Sequence, residues 1–201
     1  MPCVTKTIVI SAGVVLGTGA QADDRGLYGE PVPADAAFIR WIDNEIGDSR
    51  MAFGRDFTGD AIPDKTYAAI STALLDGAKA GGYYSIVATE NGSAQQIREP
   101  ERDEVSKVHL ILLNLTDAPV SLVLSDLETE VIGATPPRHA QSRAVNPVSA
   151  ALAIRSDKTG NVLDGFDVAL RRGQNMTFAV IDNEVIAIPS TFGPVIAQEA
   201  N

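Results

Sequence analysis

AAFIRWID, residues 36–43, alternates in steps of two, with Ala36, Phe38, Arg40 and Ile42 on one side and Ala37, Ile39, Trp41 and Asp43 on the other. A helix would repeat its apolar positions every three to four residues, so this period marks an extended strand. The same alternation returns in Tyr83, Ser85, Val87, Thr89 against Tyr84, Ile86, Ala88. It recurs in Val108-Leu110-Leu112, Leu122-Leu124, Ala150-Leu152-Ile154, Val168-Leu170, Met176-Phe178-Val180 and Val185-Ala187. Each run is short and ends in turn chemistry: Gly54-Arg55-Asp56, Asn91-Gly92, Thr116 to Pro119, Pro136-Pro137, Ser156 to Gly160, Arg172-Gly173 and Asp182-Asn183. Only Ser71 to Lys79 offers a helix-like stretch, limited by Gly77 and Gly81-Gly82. The expected class is all-β, with strands at the spacing of immunoglobulin-like sandwiches.

One segment interrupts the pattern. Arg98-Glu99-Pro100-Glu101-Arg102-Asp103-Glu104 carries six charges and a proline with no apolar side chain to bury, as a linker would. The expected organisation is therefore a leader at 1–22, an N-terminal β-sandwich at 23–97, a linker at 98–105, a C-terminal β-sandwich at 106–190 and a flexible tail at 191–201. Each sandwich is near the lower size at which a single core holds without staples.

The leader is inferred from Lys6, the apolar run Ile8 to Leu16 and a small-residue exit at Ala20-Gln21-Ala22. That run is too short to span a bilayer, and no later segment is longer, so the expected product is exported and does not span a membrane. Cutting after Ala22 removes Cys3, the chain's one cysteine, which excludes disulfides and thiolate chemistry. Export without disulfides fits a bacterial periplasm. Lys6 is the one charge removed, so 16 basic and 26 acidic residues become 15 and 26, a net of −11. Nucleic acid is excluded as a partner by that balance. Between Arg138 and Arg172, however, six basic residues face three acidic ones. This stretch is either solvated surface or an anion-contact face.

Gly47-Asp48-Ser49 spells the tripeptide that presents the nucleophile in GDS-type hydrolases. A serine hydroxyl needs a neighbouring base, and that class supplies it from an Asp-x-x-His. The residues three before His109 and His139 are Ser106 and Pro136. His109 is expected to pack on the alternate side of the Val108 to Leu112 strand, and His139 to lie exposed in a loop. The tripeptide is then a hairpin turn between a Phe38 to Asp43 strand and an Arg50 to Phe53 strand. Two isolated histidines make no zinc site. Asp56, Asp60 and Asp64 make a weak calcium pattern that lacks a closing bidentate Glu. No cofactor is expected.

Three ordered segments carry a resemblance to a known family: Gly26 to Trp41 (GLYGEPVPADAAFIRW), Gly82 to Val87 (GYYSIV) and Arg143 to Val148 (RAVNPV). They resemble the start of the mature protein, the strand closing the first domain and a run in the second domain of the AlgF family of alginate biosynthesis proteins. The resemblance is less clear between Met51 and Gly81. It implies two β-sandwich domains in a periplasmic accessory protein of exopolysaccharide O-acetylation, acting beside a membrane acyltransferase and acetylating partner enzymes.

Three functions follow as expectations. The first is a non-catalytic adaptor required for O-acetylation of an exopolysaccharide, alginate by family. Its partner interface would be the strap Leu27, Tyr28 and Pro31, apolar groups held out of regular structure by Gly26, Gly29 and Pro33. The strap's other reading is packing along its own domain's sheet edge. The second function is a carbohydrate-binding module in which Arg138, Arg143, Arg171 and Arg172 face uronate carboxylates. Sugar platforms use aromatics, and after Tyr84 the chain has only Phe166, Phe178 and Phe192. The third, an acetyl-transferring enzyme using Ser49, lacks its base.

Overall fold

The computed structural model describes residues 31–42, 50–60, 62–88, 93–182 and 184–197. Val32–Asn201 forms one compact unit, and Met1–Pro31 a second of which Pro31 alone is described. The architecture of the former is β throughout, and the one helical turn among the described residues is a 3-10 turn at Thr72–Leu74. This corrects the expected helix over 71–79: Gly77 at φ 83 and Gly81 at φ 73 turn the chain out before a second helical turn can form.

The first sheet takes β1 (Ala36–Trp41), β4 (Tyr67–Ser71), β5 (Tyr83–Ala88), β6 (Ala94–Glu99) and β15 (Phe192–Ile196) in the order β15-β4-β1-β5-β6. β1 lies at its centre, antiparallel to β4 and parallel to β5, which is why its alternation is apolar on both sides. One side is covered by the hairpin β2 (Met51–Ala52) and β3 (Arg55–Asp56), with Phe57, Ile62 and Leu75 closing on Ile39, Trp41, Ile70 and Ile86. The hairpin turns on Phe53 and Gly54 at φ 49 and 75, the left-handed pair that a two-residue turn needs. Since β2 pairs with β3, and both edges of β1 are taken by β4 and β5, the expected hairpin between β1 and the next strand does not form. Gly47-Asp48-Ser49 itself lies outside the described residues.

The second sheet runs β10 (His139–Val145), β7 (Val108–Asn114), β13 (Met176–Ile181), β14 (Glu184–Pro189). The third runs β12 (Val162–Ala169), β11 (Ser149–Ser156), β8 (Val120–Leu124), β9 (Glu130–Thr135). These two close face to face over Leu110, Leu112, Phe178 and Val180 from one and Leu122, Ile132, Leu152 and Ile154 from the other. Yet all seven residues of β7 are buried, including His109, Ile111 and Leu113 on the alternate side. The reason is a third core, in which Leu113, Leu115, Ala179 and Ile188 pack against Ile42, Val87 and Ile97. The second sheet is thus a central layer, sealed on one side by the third sheet and on the other by the first. Burying each such aliphatic side chain contributes about 1.5–3 kcal/mol.

Two boundary expectations change. The tail expected from 191 forms β15, which lies parallel to β4 with Phe192 opposite Tyr67 and Ile196 opposite Ile70. The apolar residues of 192–196 have a sheet edge to cover, and a loose tail would leave the outer edge of β4 open. The charged segment 98–105 is not a solvated spacer either: Glu99 is 2% exposed at the end of β6, and the Arg102 side chain is 5% exposed.

Candidate functional site

Arg40 stands on β1 in the middle of an apolar strand, fully buried on the side that faces the second sheet. A charge so placed must be paired. Its Nε donates to Ser85 Oγ at 3.0 Å, and its Nη2 to Glu99 Oε1 and to Thr177 Oγ1, each at 2.8 Å. Ser85 and Glu99 belong to the first sheet and Thr177 to β13 of the second, so the guanidinium ties the two sheets together. Glu99 also accepts from Ser85 Oγ at 2.6 Å, Tyr67 OH at 2.7 Å and Arg102 Nη2 at 2.9 Å. Arg102 Nη2 in turn donates to Tyr67 OH at 2.6 Å.

The electrostatics follow from that list. Burial alone would push the Glu99 carboxyl up, but Arg40 and Arg102, helped by the Ser85 and Tyr67 hydroxyls, hold it below the usual carboxylate range. Burial, with the adjacent Glu99 charge, pushes the Tyr67 phenol far above its ordinary value, so it stays a neutral donor. Burial works against the Arg102 charge, and Tyr67 and Glu99 more than offset it. Glu99 spends its lone pairs on four donors. Ser85 has a carboxylate neighbour but sits at 0% exposure with its hydroxyl committed to it.

Aromatic rings cap this network. Arg102 Cζ lies 3.8 Å from the Tyr83 ring centroid and 5.0 Å from that of Tyr67. Tyr83 stacks on Phe38 at 4.7 Å, while Phe192 reaches Phe38 edge-on and stacks on Tyr67, at 5.6 Å in each case. Register explains the grouping: Phe38 is opposite Tyr83, and Phe192 opposite Tyr67. Phe192 is 56% exposed, and Phe38 and Tyr83 are half-buried, so the cluster opens to solvent as an aromatic face on a rigid ionic base. Its surface is ring faces and edges over the Arg102 guanidinium.

The residues expected from the sequence are placed as follows. Leu27, Tyr28 and Ser49 lie outside the described residues, and Pro31 is exposed. Arg138 sits at φ 60 in the turn before β10, 3.9 Å from Asp117. Arg143 Nη1 donates to the carbonyls of Val131 at 3.1 Å and Glu130 at 3.4 Å. Arg171 and Arg172 are exposed in the loop from β12 to β13, where the Leu170 amide donates to the Val148 carbonyl. β10 begins beside Arg138 and ends three residues before Val148, so its seven residues, about 23 Å, separate Arg138 from Arg171. The structure does not gather the four arginines into one patch.

His109 is 5% exposed with Nε2 3.3 Å from the Glu104 carbonyl, and exposed His139 opens β10 with Nδ1 2.8 Å from the Pro137 carbonyl. Asp56 caps Thr58, and Asp64 pairs with Arg50. Among the described residues no three His, Cys, Asp or Glu converge to hold a metal. The Arg40, Tyr67, Glu99, Arg102 and Phe192 constellation was not foreseen, although one lone Arg inside AAFIRWI was a visible demand for a buried counter-charge.

An all-β chain of sheets stacked face to face is of the class of β-sandwich proteins. Residues 74–177 match the family described as Alginate O-acetyl transferase AlgF, and the chain belongs to that family. It is similar to the alginate biosynthesis protein AlgF of Pseudomonas fluorescens, 28% identical over 84% of this chain and 83% of that one. With that of Pseudomonas aeruginosa it shares 27% identity over 82% and 81%, and with that of Azotobacter vinelandii 26% over 82% and 83%. A solved structure of the C-terminal domain of AlgF from P. aeruginosa aligns with 42% of this chain and 97% of that one, at 23% identity and a TM-score of 0.36.

Proposed function

We propose that this chain is a non-catalytic periplasmic adaptor for O-acetylation of an exopolysaccharide, alginate or a related acidic polymer, holding acetylation enzymes by contact. The family description supports the pathway. The observation that carries the non-catalytic part is the Arg40–Glu99–Tyr67–Arg102 network: beneath the aromatic face the Tyr67 and Ser85 hydroxyls and the Glu99 carboxylate are buried and hydrogen-bonded to one another. A general base needs a free lone pair within reach of a substrate proton. The working surfaces are the Phe38, Tyr83 and Phe192 face and the Leu27, Tyr28 and Pro31 strap. The partners are periplasmic and membrane acetylation proteins.

The test is gene deletion followed by complementation with the wild-type chain or with Ser49→Ala, reading acetyl groups per sugar. Deletion should lower acetylation severalfold and Ser49→Ala should restore it in full. A folded, expressed Ser49→Ala chain that fails to restore it would overturn the adaptor reading.

A second reading, direct binding of the polymer, is favoured by the same aromatic face with Arg102 beneath it, since rings that looked scattered along the chain are adjacent in space. Retention on an alginate gel, lost in Phe192→Ala and released by rising salt, would establish it. Passage through the gel unretarded would eliminate it.

A further inference from the structure

The charges around Glu99 do not balance. Arg40 and Arg102 bring two positive charges, Glu99 one negative charge and the neutral Tyr67 none, so the network keeps one positive charge in excess. A guanidinium cannot shed its proton to remove it. Among the described residues no second carboxylate pairs with either arginine: Glu101 serves Lys79 and Arg98, and Asp103 and Glu104 are exposed without reaching Arg102.

The donors outnumber the acceptors as well. Arg40 commits Nε to Ser85 Oγ and the two hydrogens of Nη2 to Glu99 and Thr177, which leaves both hydrogens of Nη1 without a partner among the described residues. Arg102 Nε is in the same position. The two side chains are 0% and 5% exposed, and a core tolerates a buried charged donor only where something accepts from it. Because Arg40 and Arg102 are held on the two oxygens of one carboxylate, at 2.8 and 2.9 Å, the excess charge and the spare donors belong to one small region.

Both observations call for the same object, an acceptor carrying one negative charge. A water molecule would take the hydrogen bonds and leave the charge. A uronate carboxylate is fixed to a sugar ring, too broad for groups so enclosed, and sulfate brings two charges against one. A single-atom anion meets both demands.

We propose that the Arg40–Glu99–Arg102 network is a halide site, in which chloride accepts from the N–H groups that Glu99 leaves over, on Arg40 Nη1 and Arg102 Nε. Arg40 reaches Ser85 in the first sheet and Thr177 in the second, so the ion strengthens the joint between the sheets. The site is independent of the adaptor reading, since it concerns the chain's own assembly.

Urea unfolding of the full chain at constant ionic strength, with sodium chloride replacing sodium gluconate, tests it; gluconate is monovalent and too bulky to enter. The midpoint should rise with chloride, the folded-to-unfolded ratio growing about tenfold between about 1 and about 100 mM for a dissociation constant of about 10 mM. Arg40→Met removes the excess charge together with Nη1 and should abolish the chloride effect. Thr177→Val weakens the same joint but keeps the charge and the donors, and should retain it. If Arg40→Met does not fold, Arg102→Met removes the same excess charge and takes its place. Crystals of the wild type grown in sodium bromide should show an anomalous peak beside Arg40 Nη1 or Arg102 Nε. Equal midpoints in chloride and gluconate, a chloride effect undiminished in the Met variant, or bromide at surface positions alone, an adventitious ion only, would overturn the site.

Discussion

Glu99 and Arg40 form one ion pair, yet removing either should have unequal consequences. The buried network holds Arg40 and Arg102 against Glu99, a net of one positive charge around a neutral Tyr67. Glu99→Gln leaves two guanidiniums whose Nη2 atoms converge on the same lost carboxylate, buried and with no protein counter-charge. Removing one partner of a buried pair costs about 3–5 kcal/mol. Arg40→Met leaves Glu99 balanced by Arg102, fills the volume with an apolar chain and removes Arg40 Nη1, which has no partner among the described residues. It forfeits the bonds to Glu99, Ser85 and Thr177, about 2–3 kcal/mol in sum. The gap of roughly 1–2 kcal/mol corresponds to about 0.5–1 M in urea midpoint at a slope of about 2 kcal/mol/M. Urea unfolding followed by fluorescence of Trp41, the chain's one tryptophan and fully buried, measures it. Equal midpoints for the two variants, or a lower one for Arg40→Met, would refute the charge count. The pH dependence has a fixed sign. Glu99 has its folded value below 4.5, so the stability it supplies is fully present above about pH 4.5 and is lost as pH falls through the lowered folded value. The midpoints of wild type and Glu99→Gln should therefore converge as the solution is acidified.

Thr177→Val removes the bond that Arg40 makes to the second sheet, and should lower stability by about 1–1.5 kcal/mol in the same urea assay; no loss would mean the bond is not made. Phe192→Ala unstacks the ring from Tyr67 and Phe38 and should cost about 1 kcal/mol, speeding hydrogen exchange at the amides of Tyr67 to Ser71. Unchanged exchange there would argue against β15 as the edge cover. Gly82→Ala places a Cβ 2.8 Å from both the Lys79 carbonyl and the Tyr84 ring, so calorimetry should show a loss of about 1–3 kcal/mol, whereas an unaltered melting temperature would deny the close approach.

Most strands were legible because their alternation is a local property: β1, β5, β7, β8, β11, β13 and β14 all fall where the period of two placed them. β4, β6, β9, β10 and β15 were not seen, for a physical reason. AQQIRE and HAQSRAV are polar edge strands whose apolar side is thin, and YAAIS and FGPVI lack a clean apolar–polar alternation. β7 carried a fuller message than alternation could hold. LILL is continuous because both faces are buried, and that run already implied a second covering layer. The ionic site was half legible: Arg40 announced a buried charge, but the partner lay in a run read as solvated spacer. Charge density alone does not separate a linker from a segment whose charges turn inward. Phe192 was beyond reach, since nothing local ties it to Tyr67 more than a hundred positions earlier.

The strand at 192–196 also sets an order of events. Synthesis delivers β1, β4, β5 and β6 early, but their sheet has an uncovered charged side until β13 is made and an unguarded margin until 192–196 arrive. The first half is therefore obliged to wait for both, and a polypeptide interrupted before residue 192 would strand the portion made first.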